Sequence, residues 1–186
     1  MASKLGGCLR GLVEWVVVFA IAFAAVLAIR AFVIEPYTVP TGSMEPTIQI
    51  DDCVLAEKIT LAFGQDVEAG DIVVFENPDA SSGHDVLVKR VIAVAGQTVD
   101  LVDGVVYVDG EALEEDYVQG DSYALAAQLA GVEISYPYTV PEGCVWVMGD
   151  NRENSADSRY FGAVETESII GVVVARYWPL DRIGLL

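Results

Sequence analysis

The sequence predicts a mainly β domain of antiparallel sheets, preceded by one N-terminal transmembrane helix. Three observations predict it. A single long apolar block lies near the N-terminus. Beyond it come short runs rich in Val, Ile and aromatic residues. Asp-Gly pairs and polar loops separate those runs, as turns between strands require.

The apolar block, Trp15–Ile34, is WVVVFAIAFAAVLAIRAFVI, twenty residues with Arg30 as their one charge. That length crosses a bilayer core as a helix. Arg30 stands near the outer end, where its guanidinium can snorkel to the headgroups, and Pro36 is expected to stop the helix. A cleavable signal peptide would have a shorter apolar region followed at once by small residues. Here Glu35-Pro36-Tyr37 follows, so a retained anchor is the better reading. Residues 1–14 then form a short cytoplasmic N-terminus, residues 15–34 the anchor and residues 35–186 an extracytoplasmic domain. The orientation follows from Lys4 and Arg10 before the span and Glu35, Asp51 and Asp52 after it, by the positive-inside rule. The expected location is the cell membrane, single-pass, with the lipid bilayer as a partner.

Net charge is −18; residues 1–34 carry +2, leaving −20 on the remainder. Such a surface repels phosphates, which argues against nucleic acid as a partner, and it keeps an exported domain soluble. Residues 35–186 are enough for a real core, and a monomer is expected. The three cysteines, Cys8, Cys53 and Cys144, show no metal-ligand spacing. Only Cys53 and Cys144 share a side of the membrane, and unpaired thiols fit them better than a bridge.

The expected strands are Val54–Ala56, Ile72–Phe75, Val86–Val94, Thr98–Val102, Val105–Val108 and Val145–Met148. Asp103-Gly104 and Asp109-Gly110 mark turns, and Asn77–Asp85 (NPDASSGHD) is a loop. One further helix is expected over Tyr123–Ala130, capped by Asp121 or Ser122 and ended by Gly131.

Three segments carry chemistry. In Pro40-Thr41-Gly42-Ser43-Met44-Glu45-Pro46-Thr47, two prolines fix the backbone around Gly42-Ser43, which suits an exposed nucleophilic serine. Taken alone, the triplet fits a capped turn with a structural serine better than a nucleophile. A serine nucleophile needs a base. The sole histidine, His84, lies in the polar loop, and no His/Cys/Glu cluster suggests zinc. Lysine is the remaining common base, and the chain has three. Lys4 precedes the membrane, and Lys58 ends a strand beside Glu57. Lys89 lies within Val86-Leu87-Val88-Lys89-Arg90-Val91-Ile92, where burial favours the neutral amine. Arg90 cannot serve, because a guanidinium does not deprotonate. The third segment is the polar run from Gly149 to Gly162, GDNRENSADSRYFG. There Asp150, Asp157 and Arg159 are expected to form an ion-pair network holding Ser155, although an ordinary charged loop is also open.

The succession of anchor, PTGSMEPT, DDCVLAEK, GDIVVF, VKRVIAV and GDNRENSADSRYFG resembles the bacterial type I signal peptidases. The likeness runs to about Gly162, and the pairing of the GSM box with the GDNR…SADSR stretch is highly specific. The resemblance implies a signal-peptidase-type antiparallel β-sheet catalytic domain with a Ser/Lys dyad and no cofactor or metal. Ser43 matches the nucleophile and Lys89 the general base. Thr41 matches the hydroxyl of the oxyanion hole beside the Ser43 N–H. Ser155 matches the hydroxyl that orients the lysine amine, and Asp157 and Arg159 the supporting ion pair. Tyr37, Val39, Met44, Ile48, Leu87 and Val88 fall where the family forms shallow pockets for small side chains. The implied substrates are signal peptides of exported preproteins, bound as extended segments ending in Ala-X-Ala.

Three positions depart from the family pattern. Ala95-Gly96-Gln97 stands for Pro-Gly-Asp, Asp51 for Gly, and Glu153 for Asp. These touch turns and surrounding charge rather than the dyad. The short spacing from Lys89 to Gly149 resembles compact forms without a large inserted β domain. Ser43 follows Ile34 by nine residues, which keeps it within roughly 30 Å of the membrane.

A related Ser/Lys peptidase, such as a pilus-type processing peptidase or a self-cleaving repressor, is the nearest alternative. A repressor would have a DNA-binding domain in place of the anchor. A membrane-tethered binding module would leave three polar segments unexplained.

Overall fold

The computed structural model describes residues 2–186. The side chains of Lys4, Cys8 and Arg10, which entered the topology and thiol expectations, lie outside the described residues. Helix α1 (Ala2–Phe32) leads into β1 (Ile34–Thr38), a 3₁₀ turn (Gly42–Met44), β2 (Cys53–Glu57) and the one-turn α2 (Ile59–Ala62). β3 (Ile72–Glu76), β4 (Val86–Val94), β5 (Thr98–Val102), β6 (Val105–Val108), β7 (Glu111–Ala112) and β8 (Tyr138–Thr139) follow. The chain closes with β9 (Cys144–Met148), the short α3 (Ser158–Phe161), β10 (Val164–Glu165), β11 (Ile169–Trp178) and β12 (Gly184–Leu185).

The larger sheet has the order β1-β2-β11-β3-β4-β9-β10, with β12 on β11; the smaller is β7-β6-β5-β8. Every strand pairing is antiparallel. The mainly β expectation therefore holds, and all six expected strands form within a residue of their bounds. At the β5–β6 hairpin, Asp103 and Gly104 have φ of 51° and 83°. That pair of positive φ values is what the tightest hairpin turn demands.

The expected helix over Tyr123–Ala130 does not form; residues 123–130 are irregular. Tyr123, Ala124, Ala126 and Ala127 are exposed, so a helix there would bury too little apolar surface to hold it. Its polar groups serve tertiary partners instead. Leu129 N–H donates to Tyr160 O at 2.9 Å, and the would-be cap Ser122 accepts from Arg152 at 2.5 Å.

Helix α1 ends at Phe32, short of Ile34, because Ile34 already pairs with Glu57 in β1–β2. Pro36 lies inside β1, an edge strand, where proline is tolerated. Val13–Arg30 has a mean hydropathy of 2.2, and none of it is buried against the protein. A helix so apolar and so uncovered is suited to lipid rather than water.

β11 fills the space between β2 and β3. Its Gly171 is required, since a Cβ there would meet Glu57 O at 2.5 Å. Three apolar clusters form the core. Phe75, Val91, Val147 and Phe161 belong to one; Val39, Met44, Ile48, Val54 and Val74 to a second; Ile92, Val99, Trp146 and Met148 to a third. Cys53 and Cys144 are free thiols.

Candidate active site

Strand β4 alternates between two of these clusters. Val86 and Val88 pack on the Met44 side, while Leu87 and Val91 pack on the Phe75 side. A period of two therefore turns Lys89 with Leu87 and Val91, and the lysine is only 2% exposed. Its Nζ lies 2.7 Å from Ser43 Oγ and 3.0 Å from Val88 O.

The 3₁₀ turn that presents Ser43 is held from the far side by Asn151. Asn151 N–H donates to Ser43 O and its Nδ2 to Gly42 O, each at 3.0 Å. Gly149 also touches this turn: a Cβ there would collide with Ser43 O and Ser155 Oγ. Thr41 Oγ1 lies 3.5 Å from Ser43 Oγ. Ser155 Oγ is buried and makes no hydrogen bond of normal geometry.

Asp157 and Arg159 form a fully buried bidentate pair, Nε–Oδ1 and Nη2–Oδ2 both 2.9 Å. Asp157 also accepts from Gly149 N–H at 3.0 Å, which ties the pair to the backbone beside Ser43. Asp150 does not join this network as the sequence suggested. It faces the other way, accepting from Arg90 Nε at 2.9 Å, Arg90 Nη2 at 2.7 Å and Thr47 Oγ1 at 2.5 Å. Arg90 in turn stacks 3.9 Å over the Tyr117 ring. Arg152, also missed, pairs with Glu115 and donates to Ser122.

A cavity of about 320 Å³ opens onto the Ser43–Lys89 contact, lined in part by Tyr37, Val39, Met44, Leu87 and Val88. Ile48 lies behind that wall, fully buried. His84 is exposed at the rim. Lys58 is remote from this chemistry, paired with Glu35 of β1 at 2.5 Å. Among the described residues no three His, Cys, Asp or Glu side chains gather as metal ligands would.

The family model for signal peptidase, peptidase S26, matches residues 12–178. The chain belongs to that family. Its relatives include a probable signal peptidase I-2 of Synechocystis sp., 42% identical over 86% of this chain and 70% of that protein. A signal peptidase IB of Staphylococcus aureus is 34% identical over 93% of each chain. A crystal structure of a signal peptidase I from Enterococcus faecalis V583 aligns with a TM-score of 0.44 and 32% identity, over 58% of this chain and 97% of that one. This type I signal peptidase is thus a serine protease that removes signal peptides from preproteins.

In this peptidase, burial pushes the Lys89 amine down from 10.5 to about 8, against the opposing pull of Asp157 and Asp150. Burial also works against the Asp157 carboxylate, but Arg159 and the Gly149 N–H outweigh it and hold that group below its usual range.

The Lys89 shift sets a pH dependence of stability. Between about 8 and 10.5 the unfolded chain holds a proton that the folded chain has lost, so stability rises with pH across that window. Below it both states are protonated, and the burial penalty is about 3 kcal/mol. Lys89→Met should therefore unfold at higher denaturant than wild type at pH 7, with the gap shrinking by pH 10. Equal stability at pH 7 would mean that burial does not disfavour the charged amine.

Proposed function

We propose that Ser43 and Lys89 form the catalytic dyad of this peptidase. The reading rests on one observation above all: the buried Lys89 amine lies 2.7 Å from Ser43 Oγ. The signal peptide lies extended in the cavity along β1 and β4, ending in Ala-X-Ala. Tyr37, Val39, Met44, Leu87 and Val88 shape shallow pockets for its small side chains, with Ile48 as backing. Neutral Lys89 takes the Ser43 proton as Oγ attacks the carbonyl carbon. The developing oxyanion is met by the Ser43 N–H and the Thr41 hydroxyl. The Lys89 ammonium then protonates the leaving amine, which departs as the new N-terminus of the mature protein. Water, activated by the same amine, hydrolyses the acyl-enzyme. Ser155, whose buried hydroxyl has spare hydrogen-bonding capacity, orients the amine. Asp157 and Arg159 support it through Gly149.

The apolar part of α1 is the single-pass anchor, with the N-terminus cytoplasmic and residues 35–186 as a monomeric extracytoplasmic catalytic domain. This places Ser43 close to the bilayer, where a preprotein's own apolar helix ends. In intact cells, a membrane-impermeant protease should digest the domain or shed it whole. Protection until the membrane is permeabilised would reverse the orientation.

The dyad is tested by cleavage of a purified preprotein in detergent. Wild type and Lys58→Ala should process it. Ser43→Ala should fall by at least about 10³-fold, since only binding and oxyanion stabilisation remain. Near-normal turnover by Ser43→Ala would exclude it as the nucleophile.

A further inference from the structure

A second cavity, of about 210 Å³, also opens onto the dyad. It shares only Thr41, Ser43, His84, Leu87 and Lys89 with the first. From those residues the two diverge. The first follows the end of β1 and the residues after it, 37–40, and the second runs between the Asn77–Ser82 loop and residues 154–161. A peptide bond attacked at Ser43 has chain on both sides. With the signal peptide in the first cavity, the segment beyond the scissile bond must leave by another path, and the second cavity begins at the dyad.

The lining residues of this cavity are of two chemical kinds. One is apolar, from Leu87, Ala156, Tyr160 and Phe161. The other is polar, and Asp79 is its only carboxylate. Asp79 Oδ1 already accepts from Ser81 N–H at 2.9 Å and Ser81 Oγ at 2.6 Å. Its Oδ2 has one long contact, 3.5 Å from the Tyr160 hydroxyl, and so retains capacity for a donor. The Ser81 hydroxyl and N–H hold the carboxyl below its usual range, so it is anionic at working pH.

We propose that this second cavity receives the first residues of the mature chain, and that Asp79 there favours a basic side chain and disfavours an acidic one. The proposal rests on the Ser43/Lys89 reading and extends it to the other half of the substrate. Asp79 acts here as a specificity residue, remote from the reacting atoms.

The test uses the full-length enzyme in detergent at pH 8.5. The preproteins are identical except for Lys, Ala or Glu at each of the first three mature positions. At one of these positions kcat/KM should fall in the order Lys, Ala, Glu. The Lys-to-Glu ratio should be about five- to tenfold, one weak attraction to Lys plus one weak repulsion of Glu in a solvated groove. Asp79→Asn should bring that ratio within about twofold of unity, and high salt should reduce it in wild type. Asp79→Glu, which keeps the charge, should retain the order. No charge preference in wild type, or one that survives in Asp79→Asn, overturns the proposal. Loss of the order in Asp79→Glu would also overturn it, by showing that loop geometry rather than charge sets the preference. Cleavage of the Ala substrate by Ser43→Ala would instead overturn the dyad reading, and this proposal with it.

Discussion

Lys89→Arg should fold, bind preprotein and fail to cleave it. The substitution keeps the positive charge and nearly the same reach. Its guanidinium stays protonated at any working pH and cannot accept the Ser43 proton. The native amine is different, because burial brings it down to about 8, where a useful fraction is neutral. A general base contributes about 10²–10⁴-fold, and a protonated group beside Ser43 Oγ removes that contribution while crowding the nucleophile. Turnover should therefore fall by at least about 10³-fold. The measurement is single-turnover cleavage at saturating enzyme, paired with a binding assay so that loss of chemistry is separated from loss of affinity. Substantial activity would make Lys89 an electrostatic residue and require another group to activate Ser43.

Asp157→Ala should cost about 3–5 kcal/mol in stability, the usual price of leaving a buried cation without its partner. Asp157 is the bidentate partner of Arg159 and also the acceptor for Gly149 N–H. The substitution therefore frees a buried guanidinium and loosens the backbone beside Ser43. Denaturant unfolding reads the first effect and preprotein cleavage the second. Replacing both members, as Asp157→Leu with Arg159→Met, should recover stability relative to Asp157→Ala, because no uncompensated charge remains. It should not recover activity. A loss below about 1 kcal/mol for Asp157→Ala would mean that the pair is a solvated contact and supports nothing.

Much of the site was legible because its chemistry is local. Three lysines and one histidine leave few choices of base, and the alternation of β4 turns Lys89 inward with Leu87 and Val91. The Asp-Gly hairpins were legible for the same reason, since their backbone demands sit on adjacent residues. Long-range charge pairing left no such trace. Arg90 and Asp150 are sixty positions apart, and Arg152 and Glu115 thirty-seven. Nothing local in GDNRENSADSR tells Asp150 from Asp157, so the residues by themselves put both in one network with Arg159. The segment 123–130 misled because Ser122 and Gly131 imitate a cap and a stop, whereas Ser122 is occupied by Arg152. β11 is absent from the strands expected of the sequence, although Ile169-Ile170-Gly171-Val172-Val173-Val174 carried a signal for it. That run is rich in β-branched residues, and its glycine marks a close backbone approach.

The central claim is that a neutral, buried Lys89 deprotonates Ser43, and the pH dependence of kcat/KM for a preprotein tests it most directly. In the free enzyme, cleavage should rise with pH along a limb whose midpoint lies near the value of about 8 set by burial of the amine, and then level off. Protonation below that midpoint removes the lone pair that Ser43 needs, so activity should fall about tenfold per pH unit on the acid side. A profile that is flat from pH 6 to 10, or one whose limb stays in place when Lys89 is replaced, would contradict the account.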